Sequence, residues 1–520
     1  MSSPSGTERR PPALAVLCAM SLMIVLDSTI VAVAVPDIQR DLGFSDAGVS
    51  WVVNGYLVAF AGLLLLAGRL GDLAGAWRVF LTGLAVFTVA SLLCGLAGTA
   101  ALLIAGRFLQ GAGGALAAAV VIGMIVRLFP EPGAQARAMG IYSFTQAGGA
   151  AAGFVLGGML TDALGWPVIF LINVPIGIAV WVSGRRLLPR EAGLMTARRA
   201  GSPREAELMA VRRADSPREA ELMAVRRPGS PRESGLGRRP GSPGEPGPGR
   251  GLDVSGALLV TAGLSLGVYA IVRASAPAGV VTVLLLLGFL LRQRLARHPL
   301  IPLKILSRRR LLISNAAVVL VFATGMGFQF VNALFVQRVI GYDALGTGLA
   351  FLPTPIVIGL VSLFAAPRLT GRLGPRPVLI GGLVVLLGGL LLLSRIPATP
   401  AYLTDMLPAL IIMGLGIGVT IPSIIMLAMA GAAPAETGVV SGFINTAQQA
   451  GGALGLSVLA ALAAGRTASH AGSATEALHA GYTLAFLVAS GFVLTALLIT
   501  TFALRTPLSV RLVEAPTATG

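Results

Sequence analysis

The stretch MIVLDSTIVAVAVPDI, residues 23–38, sets a carboxylic acid, Asp27, in the middle of an apolar run. A basic residue, Arg107, stands in similar surroundings within RFLQGAGGA. Such groups need a partner or a task, because an Asp or Arg near the centre of a membrane helix costs about 2.5 to 3.5 kcal/mol on insertion scales. The chemistry open to Asp27 is proton exchange. Keeping an Asp protonated at neutral pH costs about 4 kcal/mol relative to its ordinary acidity. That is comparable with the insertion cost, so a change in exposure can load or release the proton. The competing reading is a structural carboxylate, paired permanently with Arg107 or hydrogen-bonded to a neighbouring helix; Ser28 and Thr29 alone could not satisfy the charge. Arg107 carries the same two readings, as the group that tunes the proton site or as a structural Arg bound to helix-end carbonyls.

Other chemistries find no support in the residue types. Cys18 and Cys94 both fall inside apolar runs, and His298, His470 and His479 form no ligand cluster, so neither a disulfide nor a metal site is expected. The glycine-rich GAGGA and GLGIG stretches follow no strand and read as helix-packing glycines rather than phosphate cradles. No nucleophile and base pair is spaced for catalysis, so an enzyme is not expected.

The elements that must position Asp27 and Arg107 follow from composition. Of 520 residues 55% are hydrophobic and 12% are charged, and the mean hydropathy is +0.84. A spanning helix needs about 20 mainly apolar residues. Fourteen such runs are predicted, near 13–35, 49–68, 77–97, 100–126, 138–160, 166–184, 253–272, 277–293, 312–336, 345–366, 376–394, 403–429, 438–463 and 479–503. Arg9 and Arg10 before the first run, with Ala32-Val33-Ala34 near its end, mimic a cleavable signal. The run is too long for that and holds an Asp. With both termini inside, every Lys and Arg except Arg40, Arg273, Arg338, Arg395, Arg466 and Arg107 falls on the inner side, as the positive-inside bias requires. The net charge of +17 therefore belongs to inner loops and does not indicate nucleic-acid binding.

The chain repeats itself. RLGDLAGAWRVFLTGL (69–84) aligns without gaps to RLTGRLGPRPVLIGGL (368–383), and QAGGA at 146–150 recurs at 449–453. These pairs fall at matching places in two six-helix units of parallel orientation, an arrangement of transporters whose halves rock about a midplane site. The predicted organisation is an inner N-terminus (1–12), a first bundle (13–184), a linker (185–252), two additional helices (253–293), a basic inner loop (294–311), a second bundle (312–503) and an inner tail (504–520). The linker has its own repeat, with Pro189, Pro203, Pro217 and Pro231 fourteen apart, and reads as a tolerated spacer whose arginines could touch anionic lipid.

Polar stripes add candidates. Arg107, Gln110, Gly111 and Gly114 share one helix face, as do Tyr142, Thr145, Gln146 and Gly149, and Asn445, Gln448, Gln449 and Gly452. Gln110, Tyr142, Thr145, Gln146, Asn445, Gln448 and Gln449 either line a central cavity or join helices by hydrogen bonds. Asp72 is expected in a short inner loop before the third span, and its repeat counterpart is Gly371. A carboxylate kept in one copy reads as a gating contact; the alternative is an ordinary helix cap.

Taken together, these residues resemble the major facilitator superfamily, and within it the fourteen-helix drug/proton antiporters of the EmrB/QacA type. LDSTIVAVAVP (26–36) is similar to the first-helix motif, GRLGDLAGAWR (68–78) to the loop between helices two and three, and RFLQGAGGA (107–115) to the fourth-helix Arg motif. AGGAAAGFVLGG (147–158) resembles the fifth-helix antiporter motif, and WPVIFLINVPIG (166–177) the start of helix six. The resemblance implies an all-α fold of two six-helix bundles with two extra central helices. It assigns proton coupling to Asp27 and Arg107, gating to Gly68, Asp72, Gly75 and Arg78, and the antiporter-type helix to Gly149, Gly153, Gly157 and Gly158. Two departures stand out: Leu73, Ala76 and Trp77 replace further basic residues, and Gly153-Phe154 replaces the family's Gly-Pro.

The expected function is export of an amphipathic organic compound in exchange for protons, with the proton gradient as energy source, no cofactor and no obligatory protein partner. A proton-coupled or facilitative importer on the same fold is the alternative, and a membrane enzyme or receptor a distant third class. Abundant Ala and Gly and a single lysine, Lys304, suggest a GC-rich bacterial gene and hence a bacterial plasma membrane.

Overall fold

In the computed structural model the described residues are 10–129, 131–189, 253–296, 299–300, 308–429 and 437–503. The fourteen-residue repeats, most of the linker, residues 301–307 of the basic loop and the C-terminal tail lie outside them. Fourteen helices are long and apolar enough to cross a membrane, and no strand occurs among the described residues.

The first bundle comprises α1 (Arg10–Leu42), α2 (Trp51–Ala74), α3 (Ala76–Gly95), α4 (Ala100–Leu128), α5 (Pro132–Leu164) and α6, in two pieces (Pro167–Leu171 and Asn173–Leu187). The additional pair is α7 (Val254–Val272) and α8 (Ala276–Leu295). The second bundle holds α9 (Arg309–Ile340), α10 (Ala344–Leu373), α11 (Pro375–Leu393), α12 (Tyr402–Met429), α13 (Thr437–Ser469) and α14 (Ala474–Ala503). All fourteen predicted spans are present. Most extend beyond the apolar run, because a helix continues through polar residues at the membrane surface until a cap ends it.

The internal repeat is physical. Gly75 (φ 100°) alone separates α2 from α3, and Gly374 (φ 82°) alone separates α10 from α11; a side chain would be strained at either. A Cβ on Gly113 would sit 2.5 Å from Phe87 N, joining α4 to α3, and one on Gly416 would sit 2.6 Å from Leu386 N, joining α12 to α11. Small residues let these helix pairs approach to backbone contact, the usual device where no hydrophobic effect drives association. The GAGGA and GLGIG stretches are thus packing seams.

The bundles meet along α2 against α13 and α5 against α10, and α7 lies over the first of these seams, touching both α2 and α13. Asn54 Nδ2 donates to Ser457 Oγ across it (2.9 Å), and both side chains are buried. Across the other seam Phe154 stacks on Phe351 with centroids 4.8 Å apart and rings 8° from parallel. Phe154 is the residue that stands in place of the family's proline, and it serves as a contact between halves. At the end of the molecule where α1 passes into α2, Arg338 Nη1 donates to Asp46 Oδ1 (2.9 Å) and Gln337 Nε2 donates to the Val33 carbonyl (2.8 Å). Asp162 accepts there from the backbone N–H of Leu345 (2.7 Å).

Asp72 departs from expectation. It lies within the last turn of α2, which runs on to Ala74, and not in a loop before α3. The hinge is Gly75 alone, so the expected loop shrinks to one residue. The Asp72 side chain lies outside the described residues.

Candidate functional site

Asp27 sits in mid α1 and is 1% exposed; Arg107, on the second turn of α4, is likewise 1% exposed. Arg107 Nη1 donates to Asp27 Oδ2 (2.5 Å) and to Gln110 Oε1 (2.6 Å), and Arg107 Nε donates to the Val52 carbonyl of α2 (2.8 Å). The guanidinium carbon stands 4.7 Å from the Tyr56 ring centroid and 5.7 Å from that of Phe170, a cation–π arrangement on two sides. The charge pair is thereby compensated on all sides, as a buried ion pair must be to persist.

Arg107 binds a backbone carbonyl and holds the Asp27 carboxylate, the pairing that the structural reading of the two residues describes. Gln110, expected among cavity candidates, is fully buried in the same network. Its Nε2 donates to Asp27 Oδ1 (2.7 Å) and to Ser91 Oγ (2.8 Å). The helical spacing that set Gln110 one turn after Arg107 aims both at the same carboxylate.

Two members were missed from the sequence. Asn173 Nδ2 donates to Asp27 Oδ1 (3.1 Å), and Ser91 Oγ, which donates to the Phe87 carbonyl (2.8 Å), accepts from Gln110. Asn173 begins the second piece of α6. Pro175 offers no N–H to the Leu171 carbonyl and its ring crowds it, so the helix breaks at Ile172. The available signal was the one that exposed Asp27, a polar group inside an apolar span.

The other candidates separate from this cluster. Tyr142, Thr145 and Gln146 of α5 and Asn445, Gln448 and Gln449 of α13 are half-buried. The Thr145 hydroxyl donates to its own helix at Ile141 O (2.8 Å), and Asn445 Nδ2 to Ser441 O (3.1 Å). The antiporter-type glycines face two ways. A Cβ on Gly149 would press on Leu22, one on Gly153 on Thr29, and one on Gly157 on Ile30, all on α1. One on Gly158 would lie 2.5 Å from the Ala344 carbonyl of α10. Of the gating-loop residues, Gly68 has open space at its Cβ position and Arg78 is exposed. Among the described residues no group of His, Cys, Asp and Glu could hold a metal ion.

The fold and this buried charge cluster define a membrane transporter of two repeated bundles. The family model described as Major Facilitator Superfamily matches residues 17–456, and the chain belongs to that family. Among similar proteins, the puromycin resistance protein pur8 of Streptomyces alboniger is 35% identical over 508 residues, covering 94% of this chain and 90% of the relative. The cephamycin export protein CmcT of Amycolatopsis lactamdurans is 32% identical over 88% of this chain and 85% of its own length. A tetracenomycin C resistance and export protein of Streptomyces glaucescens is 31% identical over 89% and 78%. Among solved structures, a bacterial homolog of the human lysosomal transporter Spinster, inward-facing and occupied, superposes with a TM-score of 0.64 at 15% identity over 99% of this chain and 100% of that one. That likeness speaks to the fold.

Proposed function

We propose that this protein is a proton-coupled antiporter of a bacterial plasma membrane that exports amphipathic organic compounds of antibiotic or natural-product type by alternating access. The observation that carries the proposal is the carboxylate of Asp27, buried in a membrane helix and held by Arg107, Gln110 and Asn173. The names of the relatives, which concern puromycin, cephamycin and tetracenomycin C, support export as the direction.

Protonation of Asp27 removes the counter-charge of Arg107 but leaves that residue its contacts with the Val52 carbonyl, Gln110 Oε1 and two aromatic faces. The cation therefore stays in place while the link from α4 to α1 weakens. A step that opens the pair to one side loads the proton, and opening to the other releases it. Each proton moving inward down the membrane potential supplies about 2.3 kcal/mol per 100 mV. The cycle needs no cofactor and no second chain. The half-buried amides of α5 and α13 are the proposed cavity lining, suited to an organic solute rather than to a multivalent cation.

The test is reconstitution in proteoliposomes with an imposed pH gradient and a panel of lipophilic compounds that includes puromycin. Export predicts substrate-dependent proton movement opposite to drug movement, collapsed by an uncoupler. Drug accumulation that follows the proton gradient in the same direction would establish the importer instead.

A further inference from the structure

Asn173 brings to Asp27 something that Arg107 and Gln110 do not. The partners of the carboxylate are all N–H donors: Arg107 Nη1 to Oδ2, and Gln110 Nε2 and Asn173 Nδ2 to Oδ1. Such a set suits the ionised form. A protonated carboxyl is itself a donor and needs an acceptor for its O–H.

Two amide carbonyls belong to the cluster. Gln110 Oε1 is occupied, accepting from Arg107 Nη1 at 2.6 Å. Asn173 Oδ1 is buried on a side chain with 0% exposure and has no hydrogen-bond partner. An orphaned acceptor in a membrane core is disfavoured unless another state of the protein uses it.

We propose that Asn173 is a positioning residue that matches both protonation states of Asp27. Its Nδ2 donates to the ionised carboxylate, and a half-turn of the amide about χ2 presents Oδ1 to accept from the protonated one. The only bond made or broken is the O–H of the carboxyl, with the proton arriving from and leaving to water on whichever side is open. Asn173 stands at the break in α6, where Pro175 leaves the Leu171 carbonyl without its helical donor, so its amide lies beside a place where that helix can bend.

The charged and titratable groups around Asp27 are Arg107 from α4, Tyr56 from α2 and Cys94 from α3, the last two within its electrostatic reach. Among the described residues α6 contributes the Asn173 amide. Since the other three remain in an Asn173 variant, a change in the proton affinity of the carboxyl is attributable to the amide. The inference rests on the proton-coupling reading of Asp27, and its test separates the two.

The experiment is an infrared pH titration of the purified protein in lipid, with protons as the probe. A protonated-carboxyl band lost in Asp27→Asn identifies the group. In Asn173→Leu the midpoint of that band is expected to rise by about one pH unit, since a charge-assisted hydrogen bond to the ionised form is lost and only a weaker one to the neutral form offsets it. Asn173→Ala carries the same expectation should the larger side chain prevent folding. Asn173→Ser, whose hydroxyl both donates and accepts, is expected to fall between. An Asp27 band whose midpoint is unmoved in Asn173→Leu and Asn173→Ala overturns the role of Asn173 alone. Identical spectra from the wild-type protein and Asp27→Asn at every pH overturn proton loading at Asp27, and with it this inference.

Discussion

Arg107 Nη1 lies 2.5 Å from Asp27 Oδ2, eighty residues earlier in the chain, and both side chains are at most 1% exposed. The contact ties α4 to α1 in the first bundle and has no counterpart among the described residues of the second. At the interval of 303 residues that separates Gly113 from Gly416, Arg107 matches Leu410 and Gln110 matches Met413. One half carries the charge chemistry on a scaffold that both halves share.

Removal of either charge separates stability from coupling. Arg107→Ala leaves a buried carboxylate with amide donors alone and is expected to destabilise the protein by about 3 to 5 kcal/mol, the range for breaking one side of a buried pair. Asp27→Asn is expected to insert normally and to lose gradient-driven export, while Asp27→Glu keeps part of it. Thermal unfolding in detergent and efflux from proteoliposomes read the two effects. Asp27→Asn pumping against a concentration gradient at the wild-type rate would leave the carboxylate a structural role.

The extra hairpin is fastened by Asp253, which caps α7 through Gly256 N (3.0 Å) and accepts from Gln293 Nε2 (2.9 Å) and Arg292 Nε (3.1 Å) of α8. Burial favours the neutral acid, but these donors and the Ser255 hydroxyl outweigh it and hold the Asp253 carboxyl below its usual range. A depressed acid stabilises the folded form above its unfolded value and loses that contribution as pH falls through the folded one. Amide protection over 254–295, taken relative to the intrinsic exchange rate at each pH, is therefore expected to be high at neutral pH and to fall in acid, below about pH 4. Asp253→Ala should exchange faster at neutral pH as well, consistent with a lost cap of about 1 kcal/mol.

The Arg338–Asp46 contact links α9 to the loop between α1 and α2. Burial works against the Asp46 carboxylate, yet hydrogen bonds from Arg338 and Gln39 hold its pKa below the ordinary carboxylate range, so the link persists at neutral pH and fails only in acid. Asp46 is half-exposed, and such pairs are worth about 0.5 to 1 kcal/mol, a two- to fivefold shift in an opening equilibrium. Arg338→Gln should accelerate maleimide labelling of a cysteine placed at Ala333, between the bundles, by about that factor. The native Cys18 and Cys94 are buried and give a low background. An unchanged labelling rate would mean that the contact does not hold the bundles together at this end.

Glycines on one helix should differ sharply. Gly113 abuts the α3 backbone, whereas nothing lies within 4 Å of the Cβ position of Gly123. Gly113→Ala is expected to lower stability by about 1 to 3 kcal/mol through overpacking. Gly123→Ala should be neutral or slightly stabilising, since alanine favours a helix over glycine. Melting temperatures of the two variants in the same detergent make the comparison.

The sequence by itself determined the fourteen spans, the parallel repeat and the singling out of Asp27 and Arg107. Each is a local property: about twenty apolar residues suffice for a span, and a charge within one is conspicuous wherever its partner lies. Gly75 and Gly374 were likewise legible as matched positions of an aligned repeat. Only the tertiary structure decided that Gln110 turns to the carboxylate instead of a cavity, that Asn173 and Ser91 join it, that Phe154 bridges to Phe351, and that Asp72 ends a helix. Those outcomes depend on where α1, α3, α4 and α6 converge and on which way an amide or ring points at the crossing. Hydropathy, which scores each residue against lipid and not against its neighbours, carries no record of either.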